Sequence, residues 1–208
     1  MRMSFSKKQV KDTYLQDTAI DVLLIEERAS KRSRLKKTLL EFGYNISKHS
    51  SLSIDIITLY QPSVLILSTD LPSSPMLATL AEINQLLPLP IIIIAENDTP
   101  NLVKNAIKSG VSAYVVSEMI PQRLKSIISV ATERFKVEQS LRNELKRAKE
   151  QLESRKYIEK AKGIIMEQKQ FNEQQSYELL RNMAMNQGSS LAEVAKNIID
   201  VHTLLSNA

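Results

Sequence analysis

Residues 21–122 alternate short β-branched apolar runs with amphipathic stretches. Residues 21–25, 44–48, 64–67, 91–94 and 112–116 read as strands, the run of four isoleucines at 91–94 most plainly. Residues 30–42, 52–60, 76–87 and 99–109 read as helices. Ser30 suits a helix cap, Gly43 and Gly110 suit helix ends, and Pro62 and Pro90 stand just ahead of strands. Strands and helices alternating at this spacing imply βαβ units around a parallel sheet. Five strands fit the flavodoxin-like doubly wound order, so residues 21–122 are predicted to form one α/β domain behind an extension of residues 1–20.

From Pro121 the period changes. No Gly or Pro follows until Gly163, and apolar residues recur at Leu124, Ile127, Ile128 and Ala131. Further on, Leu141, Leu145, Ala148 and Leu152 step by four, three and four, a heptad seam that Arg134 and Glu138 interrupt upstream. A long helix with so narrow an apolar stripe needs a partner, so residues 123–152 are expected to form a coiled coil in a homodimer. Packing of the same helix on the first domain is the alternative. Residues 153–208 then offer three short helices, with Asn172 and Ser190 as caps and Glu193 completing a capping box with Ser190. Such short helices are stable only when packed on one another.

Composition narrows the function classes. The chain of 208 residues has no Cys and only two His, far apart at His49 and His202. Disulfides and cysteine-based zinc sites are excluded, no metal site or cofactor is expected, and a reducing cytoplasm fits. The apolar runs are too short to span a bilayer. The net charge of +5 is uneven: residues 123–150 carry 8 basic and 4 acidic side chains, whereas residues 151–208 carry 7 of each. The excess favours a polyanion near the C-terminal half, although a solvated helix face would look the same. No nucleophile–base pair, phosphate loop or metal cluster points to an enzyme.

The first domain resembles a two-component receiver over about residues 20–131. Working receivers use an acidic pair after the first strand, a phosphoacceptor Asp after the third, a hydroxyl after the fourth and a Lys after the fifth. The acids hold a divalent cation that offsets phosphate charge. In this sequence Glu26 and Glu27 stand at the acidic pair, but Ser68 stands at the acceptor position, Ala95 at the hydroxyl and Ser117 at the Lys. The resemblance therefore implies a degenerate pseudo-receiver controlled by a protein partner, in which Asp70 is displaced from the acceptor position.

The segments Ala161-Lys-Gly-Ile-Ile-Met166, Ser176-Tyr-Glu-Leu-Leu-Arg181, Met183-Ala-Met185 and Leu191-Ala-Glu-Val-Ala195 closely resemble the ANTAR domain of AmiR-, NasR- and NasT-type transcription antitermination regulators. The resemblance implies binding to paired hairpins in leader mRNA of nitrate, nitrite or amide assimilation genes, under a ligand-sensing protein partner. The basic residues available for that contact are Arg155, Lys156, Lys160, Lys162, Arg181 and Lys196. Gly163 either packs closely or lets an RNA backbone approach, and Tyr157 and Tyr177 are the aromatics able to stack on a base. A DNA-binding response regulator is the alternative function, against which stands the lack of a recognisable helix-turn-helix pattern.

Overall fold

A computed structural model of the chain describes residues 20–26, 33–116 and 121–206. Glu27, Ser117 and the expected cap at Ser30 lie outside the described residues, as do residues 1–19. The described chain runs β1 (Asp21–Glu26), α1 (Ser33–Glu41), β2 (Asn45–His49), α2 (Ile54–Tyr60), β3 (Val64–Thr69), α3 (Ser74–Leu86), β4 (Ile91–Ala95), α4 (Pro100–Lys108), β5 (Ala113–Val116), α5 (Pro121–Lys169), α6 (Glu173–Gln187) and α7 (Leu191–Ser206). It forms two compact units that divide after Val137.

The first unit is the doubly wound sheet that the alternation predicted. Its order is β2-β1-β3-β4-β5, with every neighbouring pair parallel. A central parallel strand buries both faces, which is why β1, β3 and β4 are almost continuously apolar. Successive side chains point to opposite faces. Val22, Leu24, Val64, Ile66 and Ile92 therefore pack with Leu35 and Leu39 of α1 and with Leu124, Ile128 and Ala131 of α5. Leu23, Ile25, Leu65, Leu67, Ile91 and Ile93 pack on the other face with Ile57, Leu77, Leu80, Ile83 and Ala106 of α2, α3 and α4. Ser53, Ser73 and Thr99 cap the last three of these helices, each hydroxyl accepting a backbone N–H three residues on. Gly110 turns α4 into β5 at φ +91°, and a Cβ there would collide with the amide of Asn84.

The helix α5 departs from expectation. It is a single element of 49 residues, so the anticipated boundary between residues 152 and 153 has no break in the chain. No residue between Pro121 and Gly163 lacks a backbone donor or a Cβ. One exposed glycine costs only about 1 kcal/mol against Ala, too little to end a helix whose last turns are anchored by packing. Those last turns place Ala161, Ile164 and Ile165 in a third core, with Leu180 and Ala184 of α6 and Val194, Ala195 and Ile199 of α7. This core belongs to the second unit.

Candidate nucleic-acid interface

The second unit is small, and local hydrogen bonds define its helix ends. Asn172 and Gln175 form a reciprocal capping box at the start of α6: the Gln175 N–H donates to the Asn172 side chain at 2.8 Å, and the Asn172 N–H donates back at 3.0 Å. Ser190 and Glu193 repeat the device at α7, with backbone bonds of 3.2 and 2.8 Å. The Ser190 backbone N–H and then its hydroxyl donate to the Glu193 carboxylate and hold it below its ordinary pKa. Gly188 ends α6 in the left-handed conformation, φ 62°. The buried small residues Ala161, Ser176, Ala184 and Ala195 let the helices close on one another, and Ser176 satisfies its hydroxyl on the Asn172 carbonyl at 2.9 Å.

The basic residues selected from the sequence separate into two groups. Arg155, Lys156, Lys160, Arg181 and Lys196 are exposed. Of these, only Lys156 makes an ion pair among the described residues, at 3.8 Å from Glu153. Lys162 belongs to the other group. It is buried, with its ammonium 2.7 Å from Glu173 at the start of α6 and 2.9 Å from Glu159 one turn back on α5. The hydrogen bond to Glu173, and then that to Glu159, raises the Lys162 pKa against the opposing effect of burial, and the same bond lowers that of Glu173. In this geometry Lys162 fastens α5 to α6, and its donors are directed inward.

Gly163 is exposed, and a Cβ added there would meet nothing within 4 Å. Packing within this chain therefore does not account for the glycine. The two tyrosines differ as well: Tyr157 packs against the third core, whereas Tyr177 is 43% exposed and stands outside it. The seam residues Leu141, Leu145 and Leu152 are 57–60% exposed and Ala148 is exposed, so the stripe is uncovered within the chain.

The sheet unit holds the receiver-type positions at the C-terminal ends of its strands, beside the β1/β3 reversal where ligands bind in such folds. Glu26 lies next to Ser68 across the β1–β3 pair, Thr69 next to Ala95, and Ala95 next to Val116. Ser68 is buried, and Asp70 follows the end of β3. The Glu26 side chain is fully buried, and its carboxylate is ion-paired with Lys48 of β2. Sequence reasoning missed Lys48, which is 22 residues away and reaches Glu26 only because β2 pairs with β1 in register. Among the described residues, no three His, Asp or Glu side chains are grouped so as to hold a metal ion. Nor is any helix among them long and apolar enough to cross a membrane.

Comparison with known proteins agrees with both units. Residues 146–199 match the ANTAR domain family. The chain is 26% identical over 182 residues to the transcriptional regulatory protein PdtaR of Mycobacterium tuberculosis, covering 86% of this chain and 89% of that protein. It is 38% identical over 66 residues to the nitrate regulatory protein of Klebsiella oxytoca, covering 32% of this chain and 17% of that protein. Among solved structures, a pilus assembly-related protein of Burkholderia pseudomallei shares the fold at TM-score 0.51 and 18% identity, over 60% of this chain and 96% of that one. The signal receiver domain of a LuxO repressor protein from Vibrio parahaemolyticus matches at TM-score 0.50 and 25% identity, over 59% of this chain and 97% of that one. The chain thus carries an ANTAR segment at residues 146–199 behind a sheet unit of receiver-like fold, and over most of its length it is similar to a transcriptional regulatory protein.

Proposed function

We propose that the protein is an RNA-binding antiterminator that grips paired hairpins in leader mRNA of nitrogen-assimilation genes. The supporting observation is the set Arg155, Lys160, Arg181 and Lys196: all are exposed on the ANTAR segment, and none is ion-paired among the described residues. Cations left unmatched by the fold are available to phosphate, and the affinity they supply falls steeply with salt. Hairpin loops display unstacked bases that a small helical surface can read. Bound hairpins hold the antiterminator structure, so the polymerase reads through. Two bound hairpins call for two copies of the reader, and the uncovered Leu141–Leu145–Ala148–Leu152 stripe is the surface that would join them.

Control passes through a protein partner and not through an aspartyl phosphate. Ser68 and Ala95 lack the acceptor carboxylate and the switch hydroxyl, and the Glu26 carboxylate is already neutralised by Lys48. Three experiments test these statements. Electrophoretic shifts with leader hairpins and with the same sequence as duplex DNA should favour RNA; equal or tighter DNA binding selects a DNA-binding regulator instead. Acetyl phosphate should leave no adduct, and an adduct at Asp70 would overturn the partner-controlled reading. Leu145→Arg should lower the solution mass from dimer to monomer, which a monomeric wild type would contradict.

A further inference from the structure

The second unit contains an open groove of about 520 Å³ between α5 and α6. Arg147, Gln151, Arg155 and Ile158 line one wall, spaced four, four and three residues apart and hence on one face of α5. Tyr177 stands on the α6 side, and Leu191 at the start of α7 adds apolar surface. Two carboxylates, Glu150 and Glu159, also border the groove. Both are engaged by lysines on their own helix, Glu150 by Lys146 at 3.9 Å and Glu159 by Lys162 at 2.9 Å. Arg147 and Arg155 have no such partner among the described residues, so their guanidinium groups remain available to an anion.

This combination has a specific chemical complement. An exposed aromatic face takes the flat face of an unpaired base, and stacking of this kind tolerates any base. Ile158 and Leu191 give the edge of a ring an apolar seat, while the Gln151 amide and the Ser154 hydroxyl offer donors and acceptors to its polar edge. Guanidinium groups at Arg147 and Arg155 suit the phosphates on either side of the splayed nucleotide. Arg181, one helical turn beyond Tyr177 and exposed, extends the cationic rim.

We infer that this groove receives one unpaired nucleobase of a hairpin loop, stacked on Tyr177, with its flanking phosphates held by Arg147 and Arg155. The inference rests on the RNA-binding reading and adds the place where a loop base is bound. Lys156, Lys160 and Gly163 belong to a different face of α5 and have no part in it.

The test uses the full chain and synthetic RNA carrying two hairpins, with 2-aminopurine placed at one loop position at a time. Binding of the wild type should quench the fluorescence at one loop position, because the fluorophore stacks on the ring. Tyr177→Leu should weaken binding roughly tenfold and abolish the quench, whereas Tyr177→Phe should keep both, since stacking needs the ring and not the hydroxyl. Tyr177 lies outside the core, so far-UV circular dichroism of both variants should match the wild type. If the wild type binds no hairpin RNA, the RNA-binding reading itself fails. If the wild type binds and Tyr177→Leu binds and quenches equally, the groove assignment fails and the RNA-binding reading stands. Weaker binding by Tyr177→Leu with no quench at any position in the wild type also overturns the stacking site. So does unchanged RNA binding by an Arg147→Glu, Arg155→Glu double variant that has lost capture of polyglutamate, which would give the groove to an acidic peptide.

Discussion

Among the described residues each unit buries one lysine–carboxylate centre, and the two are built in opposite senses. In the sheet unit the carboxylate is the buried partner: the Glu26 side chain is fully enclosed and the Lys48 side chain is 37% exposed. In the helical unit the ammonium is buried: the Lys162 side chain is 8% exposed between Glu159 and Glu173, which are 57% and 73% exposed. A buried charge is costly unless it is paired. Each centre pairs a residue whose type alone suggested activity, an acid for metal binding in one unit and a lysine for RNA in the other. Residue type marks candidates, and the fold gives some of them a partner within the chain. The groups left over in the second unit are arginines and lysines at its surface, while in the first Ser68 and Ala95 are buried and Glu26 is ion-paired.

The largest test of this contrast is Lys48→Ala. It leaves Glu26 as an uncompensated buried charge and should lower the stability of the sheet unit by about 3 kcal/mol in urea denaturation. A loss near zero would mean that Glu26 reaches water without Lys48, and the contrast would collapse. Leu180→Ala should cost about as much but act on the other unit, because Leu180 is fully buried in a core of only eight buried residues. Its thermal melt should split, with the helical transition moving down and the sheet transition staying in place.

Gly163→Ala should stabilise the helical unit by about 0.5 kcal/mol, since the position is helical, open and free of strain. Weaker RNA binding by this variant, measured by filter retention, would show that the glycine serves a contact outside the chain.

The smallest effect is a pH dependence. The folded pKa of Glu173 is lowered, chiefly by its hydrogen bond from Lys162, so its contribution is present above the ordinary value of 4.5 and is lost as pH falls through the lowered folded value. Lys162 has the opposite sign: its contribution is present below 10.5 and is lost as pH rises through its raised folded value. Thermal melts of the helical unit should therefore lose stability at both extremes, and Glu173→Gln should flatten the acidic limb.

Much of the sheet could be read from the sequence because burial on both faces leaves a local signature. The isoleucines at 91–94 and the Val64–Leu67 run permit little besides central strands, and in the second unit the caps at Asn172 and Ser190 act within three residues. The resemblance to receivers assigned Ser68 and Ala95 their positions, and both stand at strand ends. Pairing across elements could not be read in the same way. Lys48 meets Glu26 through strand register, and Lys162 meets Glu173 across the turn into α6. Glu159, three residues before Lys162 on the same helix, was the one local sign that this lysine already had an acid. The groove lies between helices whose relative placement no spacing rule gives, so Arg147 was missed and Tyr177 could not be told from Tyr157. The continuity of α5 was legible in principle, in the absence of any helix breaker between Pro121 and Gly163.

The Glu26–Lys48 pair also gives the mouth of the sheet a positive charge that belongs to the polypeptide. A positive charge delivered by the polypeptide is always stoichiometric: it cannot be removed by a chelator, exchanged for a competing ion or diluted away. EDTA, magnesium and manganese should leave the melting temperature of the sheet unit where they found it, and a partner docking there would meet the same surface whatever the supply of divalent ions.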